Sequence, residues 1–90
     1  MNQLTFRAAQ PQDAERILYF IRELAKYEKM ENEVVATSEL LKEWIFEKKK
    51  AEVIFALDNG KEVGFALFFH NFSTFLGRAG IYLEDLFVLP

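Results

Sequence analysis

Two neighbouring carboxylates, Glu84 and Asp85, interrupt the otherwise apolar run Ile81-Tyr82-Leu83 and Leu86-Phe87-Val88 near the end of a 90-residue chain. Such a run reads as a strand, and strand side chains alternate between faces. Ile81, Leu83, Asp85, Phe87 and Leu89 are then expected on one face, with Tyr82, Glu84, Leu86 and Val88 on the other. A carboxylate on a half-buried strand is costly unless it is paired, hydrogen-bonded or hydrated, which makes each acid a candidate for proton transfer or cation binding. Opposite faces exclude a pair sharing one proton, so each acid is weighed alone. The plain alternative is an exposed edge or a structural ion pair.

Few other residues invite chemistry. Tyr27 and Glu28 close a periodic stretch and read by type as a solvated helix end. His70 has no second His or Cys nearby, which argues against a metal, and Ser73 and Thr74 have no nucleophile context. Trp44 and Phe46, near Leu40 and Leu41, are expected in core or interface packing. The run Phe65, Phe68, Phe69, Phe72 and Phe75 is expected in the core, its far end lining an acceptor or dimer surface.

The elements that must position these residues follow from periodicity. Leu4 and Phe6 alternate with Thr5 and Arg7 as a short strand, followed by the turn signal Gln10-Pro11-Gln12-Asp13. Ala14, Ile17, Leu18, Ile21, Leu24 and Ala25 recur at helical spacing, predicting an amphipathic helix from Asp13 to about Tyr27. Thr37 and Ser38 offer N-caps for a second helix reaching about Glu47. Ala51 to Leu57 and Val63 to Phe69 are β-rich and flank Asp58-Asn59-Gly60-Lys61, a hairpin signal. Asn71 to Gly80 reads as a connection into a last strand, Ile81 to Leu89. The resulting fold class is α+β, a largely antiparallel sheet covered by helices in the order β-α-α-β-β-β.

Composition narrows the class further. Hydrophobic residues make up 51% and charged residues 28%, the balance of one ordinary globular domain. With no cysteine, disulfides, thiolate metal sites and cysteine nucleophiles are impossible within this sequence, and a reducing cytoplasmic location fits. The net charge of −3 and the short, aromatic-free Lys48 to Lys50 cluster argue against nucleic acid. No segment has the length of a membrane span or the pattern of a secretory leader.

Ile21-Arg22-Glu23-Leu24-Ala25-Lys26-Tyr27-Glu28, with Met30 and Glu31 after it, resembles the end of the first helix of the diamine (spermidine/spermine) acetyltransferases within the Gcn5-related N-acetyltransferase (GNAT) family. Tyr82-Leu83-Glu84-Asp85-Leu86-Phe87-Val88 is similar to the fourth strand of that group, and Val63-Gly64-Phe65-Ala66 to the strand before it. The resemblance implies the N-terminal part of the acyl-CoA N-acyltransferase fold. It also implies acetyl transfer from acetyl-CoA to a primary amine, such as a polyamine or another small amine.

Carried over by motif position, the resemblance implies that Tyr27, Glu28, Glu84 and Asp85 contact the amine. It makes Glu84 the general base, acting through ordered water, and assigns the pantetheine arm of acetyl-CoA to the backbone of Leu86, Phe87 and Val88. The family's glycine-rich pyrophosphate loop follows its fourth strand; Gly77-Arg78-Ala79-Gly80 precedes the strand and does not substitute for it. Residues 1–90 are therefore expected to be a partial domain, inactive alone, whose exposed last strand pairs with a second copy or a complementary segment. The alternative is a non-catalytic interaction or dimerisation module on the same scaffold.

Overall fold

The computed structural model describes residues 3–90. Strand β1 (Leu4–Ala8) leads through a 3₁₀ turn, Pro11–Asp13, into helix α1 (Ala14–Tyr27). Helix α2 begins as an α-helix at Ser38–Leu41 and widens into a π-helical stretch, Lys42–Glu47. Strands β2 (Glu52–Asp58), β3 (Lys61–Ser73) and β4 (Arg78–Val88) follow, and the sheet is fully antiparallel in the order β1-β2-β3-β4.

Local chemistry explains the boundaries. The Asp13 carboxylate accepts from the Gln10 backbone N–H at 2.7 Å and from both terminal nitrogens of Arg7 at 2.8 and 3.1 Å, fixing the start of α1 to β1. Thr37 caps α2 by accepting the Leu40 N–H at 3.2 Å. Asn59 and Gly60 both have positive φ, 53° and 86°, as a tight hairpin between right-twisted strands requires.

Both helices lie on one face of the sheet. Ile17 and Phe20 of α1 and Ile45 of α2 close on Val53, Phe55, Leu57 and Phe65. The Phe20 ring stacks on Phe65 at 5.6 Å and tilts against Phe55 at 5.9 Å. Phe20 falls outside the apolar stripe expected for α1, yet it is fully buried, while Ile21 and Leu24 are only partly covered.

One boundary needs correction. The supposed connection Asn71 to Gly80 is mostly strand: Asn71, Phe72 and Ser73 pair with Gly80, Ala79 and Arg78, leaving Thr74 to Gly77 as the turn. Its polar and glycine residues satisfy one another across a ladder. Trp44, expected in core or interface packing, is half-exposed, its ring beneath the Lys48 ammonium, 4.1 Å from the ring centre. Of the phenylalanine run, Phe65 is buried, and the far end, Phe72 and Phe75, stands exposed on the β3–β4 hairpin.

Candidate active site

The alternation expected along the last strand fails at the residue that matters most. Leu67 pairs with Asp85 but Phe68 pairs with Leu83, so Glu84 is the extra residue of a β-bulge. Partnered residues share a face. Asp85 and Phe87 therefore lie with Leu67 and Phe65 on the helix-covered face, and Tyr82 joins them opposite Phe69, its ring stacked at 5.0 Å. Ile81 and Leu83 fall with Leu86 and Val88 on the other face, reversing the expected assignment of Ile81, Leu83 and Tyr82. A bulge leaves no sequence signal in a run where either register buries apolar side chains.

The bulge lies beside the C-terminal end of α1. Tyr27, largely exposed, brings its ring to 6.2 Å from that of Phe87. At this end of α1 a cavity of about 170 Å³ is lined by Ile21, Leu24, Ala25, Met30 and Val34, together with Glu28, Glu33 and Asp85. Residues 57 positions apart in sequence, Glu28 and Asp85, thus face one opening. Burial first, then the charges of Glu84 and Glu28, hold the Asp85 carboxyl above the usual aspartate range. The two adjacent strand acids, read separately from sequence, are electrostatically linked.

Glu33 is the acid the sequence reading missed. Its position depends on how α1 stops: Met30 N–H donates to the Ala25 carbonyl at 2.7 Å and Lys29 N–H to Lys26 at 3.0 Å, with Lys29 at φ 59°. This is a Schellman reversal carried by a lysine where glycine is usual. It folds Met30 to Val34 back against Ile21 and Leu24. The available signal was the loss of helical period after Tyr27, which marks a stop but not the direction of the chain beyond it.

Gly64 fixes the other side of the site. A Cβ there would lie 2.8 Å from the Phe87 carbonyl oxygen, so β3 and β4 approach closely only because residue 64 has no side chain. Strand β4 is a sheet edge among the described residues, with Leu86, Phe87 and Val88 on it. Outward backbone groups at that edge suit an extended, amide-bearing chain such as a pantetheine arm.

Comparison with known proteins agrees with this geometry. No family model matches the chain. It is 36% identical over 80 residues to a thialysine N-epsilon-acetyltransferase of Caenorhabditis elegans, covering 89% of this chain and 49% of that protein. A thialysine N-epsilon-acetyltransferase of Bos taurus is 37% identical over 93 residues, covering 93% of this chain and 54% of the relative. The chain resembles the Gcn5-related N-acetyltransferases in sequence and in fold. It spans about half the length of the curated relatives it matches.

Among solved GNAT structures, the fold superposes on a ribosomal-protein-alanine N-acetyltransferase from Brucella melitensis biovar Abortus 2308 with a TM-score of 0.74 at 17% identity, covering 97% of this chain and 58% of that one. An aminoglycoside acetyltransferase from an uncultured soil metagenomic sample, in complex with sisomicin, gives 0.75 at 22% identity, covering 96% and 56%. These likenesses establish the four-stranded antiparallel sheet with two helices as part of the GNAT fold.

Proposed function

We propose that this chain carries the amine-acceptor half of an acetyl-CoA-dependent N-acetyltransferase acting on a small primary amine with an aliphatic body. The observation that carries this reading is that Glu28, at the end of α1, and Asp85, next to the Glu84 bulge, line one cavity. Its walls are aliphatic and its charged lining is wholly acidic, which suits an alkylammonium better than a neutral or anionic acceptor. Similarity to thialysine N-epsilon-acetyltransferases supports the same class, and a polyamine meets the same requirements.

Acetyl-CoA supplies the acyl thioester, and the backbone of Leu86, Phe87 and Val88 is where its arm would lie. Glu28, Glu33 and Asp85 attract the ammonium, while Ile21, Leu24 and Met30 cover its methylenes. An ammonium of pKa near 10 must lose a proton before its nitrogen can attack, costing about 4 kcal/mol at pH 7. Glu84, at the bulge, receives that proton through water as the general base. Tyr27, next to Glu28 and close to the Phe87 ring, orients the amine.

A chimera tests the reading: residues 1–90 replace the matching stretch of the bovine thialysine N-epsilon-acetyltransferase, and transfer from acetyl-CoA to thialysine and spermidine is measured. Transfer to either amine that disappears with Glu84→Gln supports the acceptor assignment. A folded chimera that binds acetyl-CoA but acetylates neither amine would refute it.

A further inference from the structure

Resting on the reading of the cavity at the end of α1 as the amine site, we propose that Met30 is a modification site that regulates it. A hydroperoxide converts the Met30 thioether to the sulfoxide, and the oxidised wall no longer holds the aliphatic body of the amine. The sequence contains no cysteine and two methionines, Met1 and Met30. Met30 is therefore the only sulfur among the described residues. It is 47% exposed, open to a small oxidant, and lines the cavity together with Leu24, Ala25 and Val34.

Met30 differs from a methionine on an open surface in what its position supports. Its N–H donates to the Ala25 carbonyl at 2.7 Å and so closes the reversal after α1. In such a turn this is the position that commonly carries an apolar contact back to the last helical turn. Leu24 and Ala25, which line the cavity with Met30, belong to that turn. The acids of the lining, Glu28, Glu33 and Asp85, serve the charge of the amine, which leaves the aliphatic residues and Met30 to hold its methylenes. One thioether thus sits where the helix stop and the wall of the site coincide.

The chemistry needs only the peroxide. A sulfur lone pair attacks one oxygen of hydrogen peroxide, and an S–O bond forms as the O–O bond breaks. The departing hydroxide takes the proton from the transferred oxygen and leaves as water, so sulfur is oxidised and the peroxide reduced by the same electron pair. The product is a polar, chiral side chain in place of a flexible apolar one. Its oxygen accepts hydrogen bonds and donates none, and the lining offers it acids but no Lys, Arg or His. The sulfoxide turns to solvent and draws the segment from Met30 to Val34 away from Leu24, taking Glu33 with it. Thiol-dependent reductases return the sulfoxide to the thioether, so the change is reversible.

The chimera that carries residues 1–90 in the bovine thialysine N-epsilon-acetyltransferase provides the test, because it includes the remainder of the domain. It is treated with hydrogen peroxide, the peptide holding Met30 is weighed, and KM is measured for spermidine, thialysine and acetyl-CoA. The peptide should gain one oxygen, and KM for the amine should rise about fivefold or more while KM for acetyl-CoA stays within about twofold. Met30→Leu should show the same amine KM before and after peroxide, whatever its starting value. Three results in an active chimera would each overturn the inference alone: a Met30 that the remainder of the domain keeps unoxidised, an oxidised Met30 with unchanged amine KM, or an equal rise in the Met30→Leu chimera. A chimera that acetylates neither amine before peroxide is added would remove the acceptor reading itself and this inference with it.

Discussion

At the scale of single residues the acids divide by role. Glu84→Gln keeps size and hydrogen bonding but removes the proposed proton acceptor, so in the thialysine-acetyltransferase chimera turnover should fall roughly 100-fold or more. Acetyl-CoA affinity, read by calorimetry, should stay within about twofold, because Glu84 makes no cofactor contact in this assignment. Asp85 behaves differently, since burial and two neighbouring anions raise its pKa in the fold. A raised pKa means the folded chain binds the proton more tightly than the unfolded chain. Asp85 therefore contributes stability below the ordinary aspartate pKa and loses it as pH rises through the folded value. Asp85→Asn should raise the melting temperature at pH 7 by a few degrees, and the difference should vanish under acid conditions. A melting temperature unchanged or lowered at pH 7 would show that Asp85 is satisfied by a partner and is not held in reserve for a cation.

At the scale of elements, the reversal after α1 carries a cost that can be removed. Lys29 occupies a left-handed conformation that penalises a side chain by about 1 to 2 kcal/mol. Lys29→Gly should stabilise the chain by about 1 kcal/mol in urea titration, since glycine gives back some of that gain as unfolded-state entropy. Much of this architecture was legible in the sequence. The α1 stripe, the Thr37 cap and the Asn59-Gly60 hairpin were each encoded by nearest neighbours. The β-bulge at Glu84, the long β3–β4 ladder and the position of Glu33 were not. Each of those depends on a partner strand or helix far away in sequence, and Asn71 to Gly80 looks like a loop until its two arms are paired. Tyr27, Glu28, Glu84 and Asp85 were identified by type and family motif. What joins them is the Schellman turn and the bulge, and neither has a local signature.

At the scale of the whole molecule, the two faces of the sheet should answer truncation very differently. A chain of this length is held by only about 5 to 13 kcal/mol, and its described core is a single cluster on the helix side. Phe20 is at its centre, fully buried between Phe55 and Phe65. Phe20→Ala removes a large buried ring and leaves a void that two strands and a helix cannot all move to fill, costing about 3 to 5 kcal/mol. Phe6, on the opposite face and 65% exposed in the isolated chain, has little comparable packing to lose. Phe6→Ala should therefore change monomer stability by less than about 1 kcal/mol. Urea midpoints for the two variants test the contrast: a Phe6→Ala loss as large as the Phe20→Ala loss would mean that the helix-free face contributes to folding no differently from the core.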